Sequence, residues 1–372
     1  MWLKRVIPLS LSHSHQQSRR LSSSSRGVGG GPWLMLPPAR SGNTAAYNLY
    51  SPVKGQVVSF NINGNDETVE VMQDPATRLV GSSHGWLALF NPRRRAFFLS
   101  NPLSGRRIDL PHPPTDFIVP PLKVIVSSSS PDDDDCRALM MFDSDAYSYV
   151  CRPGRSAWTL FGKFAYEDFV YSAARKRFLC VLQDQFMHDS DDEELEPWDL
   201  ECWNVVQEPE PTIDWKAETL DSEFLHKQMR EVSFRFKRYM RYLVADAFVV
   251  TRYFNWYKKY EKTVGFDVHR IGKGVASRYM EGSLDGLVMF VGVNESFAVA
   301  ASEFPELQPD SIYYTHNSFY DDGDVYGGHD LGIFYYRNKT WSPCYYPCDP
   351  SSFKNIHPPP IWYTPTPIPT TI

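Results

Sequence analysis

The sixty-five residues before Asp66 contain no aspartate or glutamate. Nowhere does an apolar run approach the roughly 18 residues that a membrane-spanning helix needs. No phosphate-binding loop is found: the glycine cluster Gly27–Gly31 lacks a Lys-Ser/Thr ending and follows no strand-like run. No G-x-S-x-G nucleophile elbow is read either. The six cysteines are scattered through 372 residues, too sparse for a disulfide scaffold, so reduced and buried thiols are expected. Cys344 and Cys348 lie close together with His357 nearby, but no fourth ligand completes a zinc set. Asp321-Asp322-Gly323-Asp324 lacks the closing glutamate of a calcium loop, so with His316, His329 and Asp330 it reads as an inter-strand loop. His84, in Ser82-Ser83-His84-Gly85-Trp86, has no identifiable acid partner and reads as a turn residue. Catalytic residues, metal ligands and cofactors are therefore assigned as none.

What is present points to short strands. Aromatic residues reach 15%, which suits pleated, half-buried surfaces, and 29 prolines punctuate many short segments. The formal net charge of -6 gives no global positive field for nucleic acid. The basic charge is local instead. Residues 1–31 carry Lys4, Arg5, Arg19, Arg20 and Arg26 with many serines and no acid, the composition of an organellar transit peptide. Val6–Leu11 is too short and too interrupted for a secretory signal core. Arg19-Arg20-Leu21-Ser22 fits a matrix-protease site. Arginine richness favours the mitochondrion; the alternatives are the chloroplast, or the cytosol and nucleus. The domain expectation is a disordered targeting segment over 1–31 and one folded domain over 32–372.

Beyond Pro32, apolar and aromatic runs alternate with turn residues, the pattern of a sandwich, barrel or propeller. About twenty candidate strands run from Trp33–Leu36 to Trp341–Tyr345, enough for five or six four-stranded blades. A polar turn followed by a tryptophan recurs in Tyr149–Trp158 and Phe334–Trp341, as in a repeated blade hairpin. The architecture expected is an all-β propeller, with Trp33–Leu36 closing the ring beside C-terminal strands. Ser127–Asp135 and Asp189–Glu196 read as mobile acidic loops. Leu225, Met229, Val232, Phe236, Tyr239, Met240 and Leu243 recur at helical spacing, so Asp221–Arg241 reads as an inserted amphipathic helix. Its basic face, with Arg230, Arg235, Lys237, Arg238 and Arg241, is either a solvated face or a contact for an acidic protein or RNA.

Several segments in order resemble the plant domain-of-unknown-function 295 family. They are Gly81–Phe90, Asn101-Pro-Leu-Ser-Gly105, Ile108-Asp-Leu-Pro111, Cys151-Arg-Pro-Gly154, Tyr242-Leu-Val244, Gly292–Ala301, Glu303–Leu307, Asp310–Tyr314 and Pro359–Pro365. The resemblance implies a kelch-like β-propeller, which in many members follows an F-box that recruits a ubiquitin ligase. Here the targeting segment holds the F-box position, as in an organellar branch of that family. The function expected is a non-enzymatic binding module in an organelle, with a protein partner, RNA being the alternative through the basic segment. The competing expectations are a ligase adaptor, or a propeller hydrolase with convergent acids or histidines at the channel mouth.

Overall fold

The computed structural model describes residues 31–41, 44–62, 67–114, 120–142, 147–155, 157–161, 166–182, 199–205, 212–218, 238–245, 247–257, 260–272, 277–315, 330–344 and 360–365. Nearly all of them lie in or between strands of six sheets. The first sheet joins β1 (Trp33–Ser41), β2 (Thr44–Ser51) and β3 (Gln56–Ile62) to the last strand, β25 (Ile361–Tyr363). The second holds β4 (Arg78–Ser83), β5 (Trp86–Asn91), β6 (Ala96–Asn101) and β7 (Arg106–Asp109). The third holds β8 (Lys123–Val126), β9 (Ala138–Met141), β10 (Ser148–Cys151) and β11 (Thr159–Phe161). The fourth is built from β12 (Tyr166–Ser172), β13 (Arg177–Leu182), β14 (Asp199–Asn204) and β15 (Thr212–Glu218). The fifth takes β16 (Arg238–Val244), β17 (Phe248–Tyr257), β18 (Tyr260–Ile271) and β19 (Ser277–Tyr279). The sixth has five strands: β20 (Leu287–Val291), β21 (Phe297–Ala300), β22 (Ser311–Tyr314), β23 (Gly332–Tyr335) and β24 (Thr340–Ser342). The result is a six-bladed β-propeller.

Alternation along each strand explains why the blades pack as a ring. Side chains of successive residues point to opposite faces of a sheet. On β5, Leu87 and Leu89 pack against the first blade, while Trp86, Ala88 and Phe90 pack against the third. Both faces are therefore buried, and β5, β8, β9 and β20 are apolar almost throughout. Six apolar clusters among the described residues fill the six seams between neighbouring blades. The ring closes where Trp33 pairs with Tyr363 and Met35 with Ile361, as expected for Trp33–Leu36. Closure removes two open sheet edges that would otherwise invite pairing with other chains.

The first strand of each blade lies nearest the axis: β25 packs on β4, β4 on β8, and β12 on β16. Blade six departs from this rule. β20 runs parallel to β22, and β21 folds back antiparallel on its inner side. This extra hairpin carries its loop, residues 292–296, inward.

Four features depart from the expectations drawn from sequence. Residues 238–241, expected at the end of an inserted helix, belong to strand β16; residues 219–237 lie outside the described residues. On β16, Tyr242 and Val244 pack against blade six and Leu243 against blade four. A strand buried on both faces also places apolar residues three and four apart, which mimics a helix. Second, one helix occurs where none was expected: α1 (Glu67–Gln73) buries Val71 and Met72 in the seam between blades one and two. Its acidic first turn, Glu67 and Glu70, suits the positive end of the helix dipole. Third, the Ser127–Asp135 loop is pinned. Ser127 N donates to Arg137 O, Arg137 N donates to Ser127 Oγ, Arg106 pairs with Asp132, and Arg155 pairs with Asp134 at 2.7 Å. Arginines from blades two and three neutralise the acidic run. Asp189–Glu196 lies outside the described residues. Fourth, β4, β15, β21 and β25 are strands that the apolar runs did not announce.

Candidate functional site

The inward loop Gly292–Ser296 touches four other blades. Glu295 N donates to Ser82 O on β4 at 2.8 Å. The Glu295 carboxylate accepts from Tyr171 N on β12 at 2.9 Å and lies 3.4 Å from His84 Nε2. Ser296 O accepts from Ala245 N after β16 at 3.4 Å, and Val293 enters the apolar seam of blades one and two. A loop that reaches blades one, two, four and five must cross the space where the inner strands converge. The axis is therefore filled by polypeptide. Gly292 is required for this: a Cβ there would lie 2.0 Å from Thr315 Oγ1.

Around the loop, the inner strands are tied by buried charges. Lys123 of β8 pairs with Asp168 of β12, whose other oxygen accepts from Leu243 N of β16 at 2.9 Å. Adjacent Glu167 receives both the Arg241 amide at 2.8 Å and its Nη1 at 2.6 Å. Two consecutive acids on one strand thus staple blades three, four and five. A small cavity of about 10 Å3 lies beside these groups, lined by Lys123, Glu167, Asp168, Tyr242, Gly292 and Val293. Buried thiols surround the seams. Cys136, Cys151, Cys180, Cys202 and Cys344 are all buried and in no disulfide, as expected, and burial pushes the Cys136 thiol up to about 11. At neutral pH it is protonated and a poor nucleophile.

Of the sequence-assigned binding residues, Arg230, Arg235 and Lys237 lie outside the described residues, and Arg238 begins β16. Arg241 does not sit on an exposed basic face: its side chain is 2% exposed in the pair with Glu167. It braces the fold. His316, His329 and Asp321–Asp324 also lie outside the described residues, as do Cys348 and His357. Asp330 is described and buried against Arg252. His84 does have an acid neighbour, Glu295, which blade six supplies from a remote part of the sequence. No local spacing could have revealed it. Gly81-Ser82-Ser83-His84-Gly85 also spells G-x-S-x-G, so the motif expected to be absent is present. It joins two antiparallel strands rather than a strand to a helix, and Ser83 Oγ accepts from Val126 N at 2.8 Å. It is a hairpin turn, with His84 at φ 50 and Gly85 at φ 83.

Burial raises the Glu295 carboxyl above its usual range, opposed by His84 and the Tyr171 amide. The native state then holds that proton more tightly than the unfolded chain does. The contribution to stability is greatest below the ordinary glutamate value of about 4.3 and is lost as pH rises from there to the raised value. Glu295→Gln, which mimics the protonated group, should not respond in that window. Urea unfolding between pH 4 and 7 is expected to show wild type losing stability relative to the variant as pH rises. Parallel curves would mean that the axial carboxyl titrates as an ordinary one.

No curated protein matches the sequence. Among solved structures, the N-terminal domain of Nup159 aligns at 9% identity, covering 86% of this chain and 78% of that one, with a TM-score of 0.39. The hydrazine synthase of Kuenenia stuttgartiensis aligns at 10% identity, covering 68% and 71%, with a TM-score of 0.33. The family description KIB1-4 beta-propeller matches residues 49–336, most of the ring described above, and the chain belongs to that family.

Proposed function

We propose that this propeller is a non-enzymatic module that binds protein partners in an organelle, using loops at the rim rather than its axis. The supporting observation is the filled axis: the channel in which a propeller enzyme would place its chemistry holds the Gly292–Ser296 loop. Adjacent Lys123, Asp168, Glu167 and Arg241 satisfy one another. Rigid strands with variable connecting loops suit recognition at the loops. The acid-free, arginine- and serine-rich residues 1–31 support action in an organelle, the mitochondrion first. The narrower resemblance to the organellar branch of the domain-of-unknown-function 295 family supports the same reading.

The test is proximity labelling by the full chain in intact cells. It is run beside a variant with Arg235, Lys237 and Arg238 changed to Ser, with Arg241 left in place because it is buried. Expected are a reproducible set of mitochondrial proteins and a several-fold loss of that set in the variant at unchanged melting temperature. Ubiquitin-ligase subunits in the labelled set would favour the adaptor role. RNA crosslinked in place of protein would move the partner class. Hydrolase turnover by the purified chain would sink the non-enzymatic reading.

A further inference from the structure

The pinned acidic loop also presents serines. Residues 127–135 read Ser-Ser-Ser-Ser-Pro-Asp-Asp-Asp-Asp. Ser127 is buried and serves the loop base, whereas Ser129 and Ser130 are exposed. Ser129 is held at the surface by its carbonyl, which accepts from Trp86 Nε1 at 3.0 Å, so its side chain takes no part in that anchor. Asp132 stands three residues after it and Asp133 four, and all of Asp132–Asp135 are exposed. A kinase that selects serines by downstream carboxylates reads this arrangement through basic side chains of its own. The two ion pairs that hold the loop, Arg106–Asp132 and Arg155–Asp134, join half-exposed side chains. Such pairs contribute little, so the loop tip can leave them while the Ser127–Arg137 bonds still hold its base.

We propose that Ser129 is a phosphorylation site for an acid-directed serine kinase, and that the phosphate lands beside Arg106. Ser129 Oγ attacks the γ-phosphorus of a nucleoside triphosphate. The bond from that phosphorus to the diphosphate oxygen breaks, the diphosphate departs, and the hydroxyl proton passes to the kinase's base. Arg106 lies on the same surface: its guanidinium carbon is 5.7 Å from the centre of the Trp86 ring that anchors Ser129. A phosphate carries more charge than Asp132 and offers three acceptor oxygens, so it competes for Arg106. That competition releases Asp132 and loosens the tie between the β8–β9 loop of blade three and Arg106 of blade two.

The full chain is incubated with a purified acid-directed serine kinase and magnesium ATP, and phosphate is located by mass spectrometry. Near one phosphate per chain is expected, on Ser129. Ser129→Ala should abolish it, and Asp132→Asn with Asp133→Asn should slow it at least tenfold. All these side chains are exposed, and an unchanged melting temperature verifies that each variant folds. Phosphate on Ser130 or elsewhere, or a rate indifferent to the two aspartates, overturns the assignment. The phosphate's neighbour is read by phosphorus NMR. Its second ionisation, ordinarily near pH 6, should lie lower in the wild type than in Arg106→Gln. Equal values would refute the contact with Arg106.

Discussion

Gly81→Ala is expected to destabilise the propeller by more than about 3 kcal/mol, lowering the melting temperature by roughly 4 °C or more. Gly81 lies on β4, the inner strand of blade two, where it faces β8 of blade three. A Cβ built there would stand 1.7 Å from Val124 O and 2.8 Å from Val124 C. The obstacle is backbone, so no side chain can rotate away. β8 cannot retreat easily either, because Val126 N donates to Ser83 Oγ on the same neighbour and β8 is buried along its length. Close-packed interiors transmit such a displacement instead of absorbing it. Gly265→Ala is the control. That glycine sits on β18 with nothing within 4 Å of its Cβ position and no positive φ. There alanine should be neutral or stabilise by about 0.5 kcal/mol, by reducing the freedom of the unfolded chain. Comparable losses at both positions would show that the effect belongs to strand glycines in general and not to the meeting of blades two and three.

The same glycine shows why part of the fold was legible and part was not. Strands such as Ala96–Asn101 and Arg177–Leu182 announce themselves through bulky apolar residues flanked by turns. β4 carries Gly81, Ser82 and Ser83 in half of its length because another backbone lies against it, so the close contact erases the apolar signal. β25 is three residues long, and β21 reads Phe-Ala-Val-Ala beside a polar loop. Neither has the length to show a period. β16 misled in the opposite direction, since burial on both faces lets a helical count succeed. The axial site was hidden for a different reason. Glu295 meets His84 and Tyr171 only once the ring has closed, and Asp168 meets Lys123 across a blade boundary. Periodicity reports local structure, whereas these pairings are set by topology.

Arg252→Met should cost about 3–5 kcal/mol, because it strands a buried carboxylate. Arg252 is wholly buried on β17. Its Nη2 donates to Asp330 Oδ2 at 2.7 Å, its Nη1 to Thr315 O at 2.6 Å, and its Nε to Thr263 Oγ1 at 2.7 Å. The guanidinium also lies 4.7 Å from the centre of the Tyr314 ring and 4.8 Å from that of Phe254. One side chain thus ties blade five to the end of β22 and to Asp330, two residues before β23. Methionine can fill much of the volume but donates no hydrogen bond. Among the described residues, Asp330 would keep only the Thr263 amide and hydroxyl. A charge buried with so few partners is destabilising, and most of the cost comes from the group left behind rather than from the lost attraction. Adding Asp330→Asn removes that charge, so the double variant should recover part of the loss. The melting temperature should fall by roughly 4–7 °C in the single variant and by clearly less in the double. Chemical unfolding of both single variants and the double gives the coupling directly. If Arg252→Met costs less than about 1 kcal/mol, or if the double variant is no better than the single, the seam between blades five and six is held by its apolar residues. Tyr242, Phe266, Ile312 and Phe334 would then suffice, and the ion pair would add nothing to the closure of the ring.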